Sequence, residues 1–365
     1  MKVAPGSVSV TEMEVPAPGE DEVLVRVRAC GICGSDAFRL ASRSPRWDNL
    51  VPGHECTGEV IDAGARFRDL TPGDPVVVIP LIPCHRCSYC AAGDYGLCES
   101  YSFIGSRRHG GMAEYLSVPA KNLVRLPEGV DLITATLVEP LSVAFHALRK
   151  AGDVSGKSVV VLGSGAIGLL TVYAARVLGA CPVIATDKVG KRLRFAKLLG
   201  VDQVVDVSAA EASEVVLERT SGRGADVIVD CSGSALAQSR ALRMAAKRGR
   251  IVLVGTPHED LVLSPDLVDQ VMRKELSLTG AWMSYGTPFP GLEWAQAVEY
   301  VARDQERLRS LITHRFSLEE APQAFDLVLG RKDSFIKVVV EIGHGRGSSE
   351  GPTQGRESVN AGPVE

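Results

Sequence analysis

The segment from Ser158 to Ala175, SVVVLGSGAIGLLTVYAA, limits the possible folds more than any other part of the chain. It carries no charge over 18 residues, a length at which a membrane-spanning helix is the first alternative. The three glycines in its middle and the β-branched residues in its first half are instead typical of a buried strand, a tight turn and a buried helix. A strand joined to a helix in this way predicts an α/β protein.

Strands and helices alternate along the chain from about Val154 to residue 284. The predicted strands are KSVVVLG, CPVIATD, DQVVDV, ADVIVDCSG, GRIVLVG and LSLTGAW, and the predicted helices are AIGLLTVYAARVLGA, KVGKRLRFAKLLGV and LVDQVMRKE. Such alternation predicts a parallel sheet with right-handed crossovers. Beyond Tyr285, LEWAQAVEYVARDQ and APQAFDLVLG have the pattern of helices, and FIKVVVEI has that of a closing strand.

The first third of the chain has a different pattern, in which short strands are separated by Gly and Pro. DEVLVRVRAC alternates apolar and polar residues, and TGEVIDAG, GDPVVVIP and GGMAEYLSVPA follow it. We expect a barrel-like β domain here, and the length of 365 residues suggests two domains. Residues 344–365 are rich in Gly, Ser, Pro and Glu and are predicted to be disordered.

Composition argues against several classes of protein. The net charge is −4 and Lys and Arg form no block, so nothing favours binding to nucleic acid or to an anionic membrane. The N-terminal residues MKVAPGSVSV contain no apolar core of a secretory signal. An odd count of nine cysteines is a poor disulfide framework. We therefore expect a reduced, cytoplasmic protein.

Four of the cysteines are concentrated in one short stretch, CHRCSYCAAGDYGLC: Cys84, Cys87, Cys90 and Cys98. Two overlapping C-x-x-C steps and a fourth cysteine suit a tetrahedral zinc ion with four thiolate ligands. The alternative is a set of free loop thiols, which would oxidise readily at such close spacing. The stretch therefore predicts a closed, structural zinc site that does no chemistry.

The motif GSGAIG follows a predicted strand and begins a helix, the context in which it binds a dinucleotide. Gly163 permits a tight turn, Gly165 lets the backbone approach a pyrophosphate, and Gly168 allows the helix to pack closely on the strand. The phosphates are then expected at the helix N-terminus. Ala166 and Ile167 complete the motif and are included among the cofactor-binding candidates.

Asp187 ends the next predicted strand, about 20 residues beyond the glycines. In this place a carboxylate fits as the acceptor for the ribose hydroxyls of NAD and would repel a 2′-phosphate. An ordinary helix N-cap is the alternative interpretation. Lys188, Lys191 and Arg192 follow closely, so NADP stays a second possibility, and Arg192 is kept as a cofactor-binding candidate.

Three further residues have ordinary interpretations when taken singly: Cys33 as a core thiol, His54 as a turn residue and Glu139 as a helix N-terminal acid. Together with the cysteine stretch and GSGAIG, they make the chain resemble the zinc-dependent medium-chain alcohol/polyol dehydrogenase family over roughly residues 20–342. The motifs CGICGSD, GHE, the four-cysteine stretch, GGMAEY, EP and GSGAIG occur in the order found in that family.

The resemblance implies an α/β protein with a GroES-like β-rich catalytic domain and a Rossmann domain built on a doubly wound parallel sheet. We expect the catalytic domain to comprise residues 1–148 and 285–343, with the zinc lobe at 84–98. The NAD-binding domain is then residues 149–284, followed by the tail. A homodimer or homotetramer is the expected assembly.

The resemblance also implies that Cys33, His54 and Glu139 bind a second, catalytic zinc with one open position, and that Glu55 ligates it transiently. Zinc as a Lewis acid stabilises the alkoxide of an alcohol, whose carbon then passes a hydride to the nicotinamide. An oxidoreductase that uses zinc and NAD is therefore expected.

The segment CGICGSDAF supplies further catalytic candidates and one departure from the family pattern. Ser35 stands where relatives carry the hydroxyl that begins a proton relay, and Asp36 matches the acid that orients the histidine ligand. Phe38 occupies the place of the usual relay histidine. The route by which the proton leaves is therefore in question, and water is one possibility.

Three stretches, YSFIGSRRHGGMAEY, LVGTPHEDL and RKELSLTGAWMSYGTPFPGLEW, resemble the polyol-phosphate dehydrogenases of the family and imply a substrate of the galactitol 1-phosphate type. In them, Arg107 and Arg108 are candidates for binding the phosphate, and Trp282 and Tyr285 for packing against the carbon chain. The alternative is that both arginines are solvated loop charges or contact cofactor phosphates.

Other functions stay open. A dehydrogenase of an unphosphorylated polyol, a cyclitol or aminocyclitol, or threonine is the alternative within enzymes. A non-catalytic, zinc-stabilised nucleotide-binding protein is the alternative of another class.

Overall fold

The computed structural model describes residues 2–4, 7–42, 49–62, 69–257, 259–330 and 335–343. The predicted disordered tail lies outside these residues. Among the helices of the described residues, none has the length and apolar character needed to cross a membrane. The uncharged segment that opens the α/β region forms a strand and a helix, as predicted.

The first part of the chain consists mainly of strands. These are β1 (Lys2–Ala4), β2 (Ser7–Ser9), β3 (Glu22–Ile32), β4 (Glu55–Asp62), β5 (Pro75–Val78), β6 (Leu81–Ile82), β7 (Ser102–Phe103), β8 (Tyr115–Pro119) and β9 (Leu123–Arg125). The helices among them and directly after them are α1 (Gly34–Ala41), α2 (Ser88–Ala92), α3 (Leu132–Ala135) and α4 (Val138–Ala151).

Strands and helices alternate in the rest of the chain. The strands are β10 (Val159–Leu162), β11 (Val183–Asp187), β12 (Gln203–Asp206), β13 (Ala225–Asp230), β14 (Ala245–Leu253), β15 (Ser277–Gly280), β16 (Ile312–Ser317) and β17 (Lys337–Glu341). The helices are α5 (Ala166–Val177), α6 (Gly190–Leu198), α7 (Ala212–Arg219), α8 (Ala235–Met244), α9 (Pro265–Arg273), α10 (Leu292–Arg303), α11 (Gln305–Arg309) and α12 (Ala321–Gly330).

A six-stranded parallel sheet has the order β12-β11-β10-β13-β14-β15. Strand β10 lies inside the sheet and all four of its residues are buried, which explains its unbroken apolar sequence VVVL. Chain order reverses between β10 and β13, so the carboxyl end of β10 borders the crevice in which such sheets bind dinucleotides. The predicted α/β fold with a doubly wound parallel sheet is confirmed.

A seven-stranded sheet has the order β16-β17-β3-β4-β5-β9, and β8 also pairs with β3. Strands β16 and β17 come from the far end of the chain and pair with each other and with β3. Two distant parts of the sequence therefore form one sheet, as the sequence suggested. Helix α4 runs through the predicted boundary after residue 148 and packs on α5 and α10. The domain boundaries stay a prediction.

Candidate functional site

The loop between β6 and β7 carries the four cysteines predicted to bind zinc, and their sulfur atoms all lie within 4.8 Å of one another. The sulfurs of Cys84 and Cys90 are 3.9 Å apart. A zinc ion with four sulfur ligands at about 2.3 Å requires sulfur–sulfur separations of roughly 3.8 Å. The residues present therefore fit a four-thiolate zinc ion without rearrangement of this pair.

Backbone groups of the same loop favour thiolates. The N–H groups of Arg86 and Cys87 hold the pKa of Cys84 at about 6, well below the usual value of a thiol. Burial and neighbouring thiols raise the pKa of Cys90 to about 12 in the absence of metal. A cation is thus needed before all four sulfurs can be ionised together, as zinc ligation requires.

Cys87→Ser should remove one ligand and lower the stability of the protein, because a short lobe of this kind depends on its metal. We expect the thermal unfolding midpoint to fall by about 5 °C or more, equivalent to roughly 2 kcal/mol. Metal analysis should give two zinc ions in the wild type and one in the variant. Cys181→Ser, at an exposed cysteine, is the matched control and should change neither quantity. One zinc or none in fully active wild-type protein would contradict the prediction.

A second cluster lies where β3 ends and β4 begins. Donor atoms of Cys33, His54 and Glu55 are within 4.8 Å of one another, with His54 and Glu55 buried and Cys33 half-buried. Cys33 is the N-cap of α1. His54 directly precedes β4, and Glu55 is the first residue of this strand, which pairs with β3. A thiol, an imidazole and a carboxylate form a donor set suited to zinc.

Asp36 is fully buried beside this cluster, and its carboxylate faces the imidazole of His54. Its Oδ1 lies 3.3 Å from Nδ1 of the imidazole, and its Oδ2 accepts a hydrogen bond of 3.2 Å from the backbone N–H of Cys33. Although burial opposes it, the charge of His54 lowers the pKa of Asp36. Since Nδ1 faces the carboxylate, Nε2 of His54 is left for a metal.

Glu139 lies in the first turn of α4 and is buried, but its carboxylate does not belong to the tight group of three donors. Burial raises the pKa of Glu139 to about 7. The nearby charge of Glu55 also raises this pKa, whereas that of His54 lowers it. These interactions show that Glu139 lies near the same centre. The described geometry brings Glu55 closer to Cys33 and His54 than the predicted ligand Glu139, and the assignment of the third ligand stays a prediction.

Lys337 is a residue of this site that sequence reasoning missed. It is 3% exposed, and its ammonium group forms an ion pair with Glu55 and donates a hydrogen bond of 3.2 Å to the carbonyl of Ile32. The carboxylate of Glu55 raises the pKa of Lys337 although burial opposes this. The sequence does contain an indication of this residue, because a single Lys interrupts the apolar predicted strand FIKVVVEI.

The GSGAIG motif forms the turn between β10 and α5, as predicted. Gly163 has a φ of +87°, and a Cβ at Gly168 would lie 1.8 Å from the carbonyl oxygen of Gly163. Gly165 is the N-cap of α5, with Ala166 and Ile167 in the first turn. The N-terminus of α5 is therefore a suitable place for a pyrophosphate.

Asp187 ends β11 and is 7% exposed. Its two carboxylate oxygens accept hydrogen bonds from the backbone N–H groups of Ser164, at 2.7 Å, and Val189, at 2.8 Å. The guanidinium of Arg192 lies 3.6 Å away, and its Nε is buried without a hydrogen-bond partner among the described residues. The carboxylate thus ties the glycine turn to the start of α6, beside an arginine that could meet a phosphate.

The arginines proposed for the substrate are engaged elsewhere. Arg108 pairs with Glu22 at 2.8 Å, while Arg107 lies over the ring of Tyr101 at 3.7 Å and donates to its carbonyl at 2.7 Å. Their assignment to the substrate stays a prediction.

The other three candidates differ in their access to solvent. Trp282 is 59% exposed, whereas Tyr285 is 6% exposed and stacks between two other rings. Ser35 is half-buried and accepts a hydrogen bond of 3.1 Å from Arg39.

Comparison with known protein families gives matches over most of the chain. The family model for zinc-binding dehydrogenases matches residues 166–303, and the model for the alcohol dehydrogenase GroES-like domain matches residues 19–128. Galactitol 1-phosphate 5-dehydrogenase of Escherichia coli K12 is 36% identical over 320 residues, which are 87% of this chain and 92% of that protein.

Solved structures show the same relationship. The crystal structure of galactitol-1-phosphate dehydrogenase from Escherichia coli has a TM-score of 0.88 and 34% identity, covering 93% of this chain and 98% of that one. A zinc-binding dehydrogenase from Sinorhizobium meliloti 1021, solved with NADP bound, has a TM-score of 0.84 and 33% identity, covering 93% of this chain and 97% of that one.

Proposed function

Because this chain belongs to the zinc-binding dehydrogenases with an alcohol dehydrogenase GroES-like domain, and is an oxidoreductase acting on CH–OH groups, we propose that it transfers a hydride between a secondary hydroxyl of a polyol phosphate and NAD. The observation that carries the substrate class is the similarity to galactitol 1-phosphate 5-dehydrogenase along nearly the whole chain. The donor cluster of Cys33, His54 and Glu55 supports the reaction type.

The residues of the site divide the work of the reaction. A zinc ion held by Cys33 and His54, with Glu139 or Glu55, would supply the Lewis acidity that favours loss of the alcohol proton. Asp36 keeps the imidazole oriented for ligation, and the N-terminus of α5 would hold the pyrophosphate.

The proton would pass to the hydroxyl of Ser35, which is half-buried and therefore reachable by water. Phe38, at the place of the relay histidine, has no group that can accept the proton. Arg39 donates to Ser35 and cannot accept a proton either. We therefore propose that the proton leaves through water.

A screen of pure protein with NAD and a panel of polyols, followed by NADH absorbance, tests this function. Phosphorylated and unphosphorylated forms of the same polyols are compared side by side. A higher kcat/KM for the phosphorylated forms supports the proposal. Equal efficiency on both forms would move the assignment to an unphosphorylated polyol, and an absence of turnover with every polyol would remove the polyol assignment altogether.

We propose NAD rather than NADP as the preferred cofactor, with Asp187 as the cause. Its carboxylate at the end of β11 would repel a 2′-phosphate, whereas the guanidinium of Arg192, 3.6 Å from it, would attract one. Asp187→Ala should narrow the ratio of kcat/KM between the two cofactors by about tenfold, equivalent to about 1.4 kcal/mol. If the wild type prefers NADP, Arg192 governs the site and this interpretation of Asp187 is wrong.

We also propose that the chain self-associates through the edge of its parallel sheet. Strand β15 is the last strand of that sheet, and exposed apolar side chains occur on it and before it: Val262 at 79%, Met272 at 70% and Leu278 at 42%. An exposed edge with apolar neighbours is a ready interface for a second copy. Sedimentation equilibrium should show a dimer or larger assembly for the wild type and a shift toward monomer for Met272→Lys. A monomeric wild type would contradict this.

A further inference from the structure

Residues 281–290, here called the bridging segment, lie between β15 and α10 in the chain and contact both the four-cysteine lobe and helix α4. The segment contains Trp282 and Tyr285, which the sequence predicts to contact the substrate. It also contains Phe289, to which the sequence assigns no role. Tyr285 is buried, so direct contact with substrate accounts for little of its surface.

On one side the bridging segment packs against the four-cysteine lobe. The ring of Phe289 lies 5.4 Å from that of Tyr95 and 6.2 Å from that of His85, both residues of the lobe. The approach at Thr287 is close, since a Cβ at Gly93 would lie 2.4 Å from its hydroxyl oxygen. Gly93 also has a φ of +84°, so a side chain here is excluded by both space and backbone.

On the other side the segment packs against the helix that carries Glu139. The ring of Phe289 stacks on that of Tyr285 at 6.3 Å. The hydroxyl of Ser284 lies 2.6 Å from that of Ser142, and Ser142 in turn donates to the carbonyl of Glu139 at 2.7 Å. Both serines are fully buried, so these bonds do not compete with water.

We propose that Phe289 is a positioning residue through which the four-cysteine lobe holds the bridging segment against α4, and so sets the position of Glu139 at the second metal site. The lobe therefore has a role beyond its own stability. A zinc ion bound by the four cysteines would order His85 and Tyr95, whose rings contact Phe289. Ser284 then connects the bridging segment to the first turn of α4 through Ser142. This inference rests on the zinc ion proposed above for Cys33 and His54 and on the zinc ion predicted for the four cysteines.

Phe289→Leu tests it, because leucine keeps an apolar side chain but loses the ring contacts on both sides. We expect the affinity of the Cys33–His54 site for Zn²⁺ to fall by about tenfold, the lower end of what loss of a supporting residue costs a metal site. Competition with a chromophoric chelator measures this. The four-cysteine site should still fill, as shown by the strong thiolate charge-transfer absorption of bound Co²⁺. Phe289→Tyr, which keeps the ring, should bind as the wild type does.

Phe316→Leu is the matched control, since it makes the same substitution at a half-buried phenylalanine of β16. It should leave the zinc affinity of the second site unchanged. Wild-type affinity in Phe289→Leu, or an equal loss in the control, would overturn the proposal.

If Phe289→Leu does not fold, a double-mutant cycle tests whether the bridging segment couples the four-cysteine lobe to α4. Tyr95→Leu removes a ring on the lobe side and Ser284→Ala removes the bond on the α4 side. If the segment couples them, the two losses of zinc affinity are not additive. Additive losses would refute the proposal. Since metal affinity does not depend on substrate, a protein that binds both metals but oxidises no polyol would refute the proposed function and leave this inference intact.

Discussion

His54→Ala should abolish turnover while leaving the fold intact. The imidazole is the nitrogen donor of the cluster with Cys33 and Glu55, and no other histidine belongs to that cluster among the described residues. We expect kcat/KM to fall by at least about three orders of magnitude, equivalent to about 4 kcal/mol of transition-state stabilisation. Initial rates with the best polyol of the screen measure the loss, and circular dichroism checks the fold.

A control separates loss of a ligand from loss of a buried ring. His314→Ala removes a half-buried histidine from β16, outside the donor cluster, and it should keep turnover within about threefold of the wild type. Metal analysis of His54→Ala should show zinc at the four-cysteine site alone. Full turnover in His54→Ala would show that the metal-dependent mechanism proposed for this cluster is wrong.

Lys337→Met should destabilise the protein by about 3–5 kcal/mol, which is the usual cost of leaving one buried partner of an ion pair uncompensated. Lys337 and Glu55 are 3% and 2% exposed, so the remaining carboxylate could not be hydrated without opening the sheet. Methionine keeps most of the aliphatic chain, and the loss is therefore electrostatic. Urea unfolding of the metal-free protein measures it.

Two comparisons make this result specific. Arg248→Met breaks an ion pair with Glu275 whose side chains are 85% and 71% exposed, and such a pair is worth at most about 1 kcal/mol. Adding Glu55→Gln to Lys337→Met removes the uncompensated charge and should restore part of the stability. If Lys337→Met unfolds like the wild type, the buried ion pair is not what holds Glu55.

The motifs confined to short stretches of sequence could be located in advance. The four cysteines lie within one loop, and GSGAIG forms a turn between a strand and a helix that adjoin it. Spacing along the chain fixes geometry in such cases, because the peptide between the residues is too short to separate them. The parallel sheet was predictable for a similar reason, since its strands and helices alternate at short intervals.

Helices α7 and α8 were absent from the predicted set. Both are short, and α8 mixes polar and apolar residues so that its buried stripe is narrow. Strands β13 and β14 are parallel neighbours, and parallel neighbours require a crossover connection. Helix α8 provides this connection, although the pattern of apolar residues in its own sequence did not predict it.

The sequence by itself determined the family, the parallel sheet, the glycine turn and the four-thiolate loop, because each depends on residues near one another in the chain. Only the tertiary structure decided which charges meet at the second site. Lys337 comes from the far end of the chain and reaches Glu55 because β17 pairs with β3 and β3 pairs with β4. The same pairing brings Glu55 into the cluster with Cys33 and His54, while Arg108 is taken by Glu22. A buried charge selects its partner by distance and desolvation, and these quantities exist only once the sheets are formed.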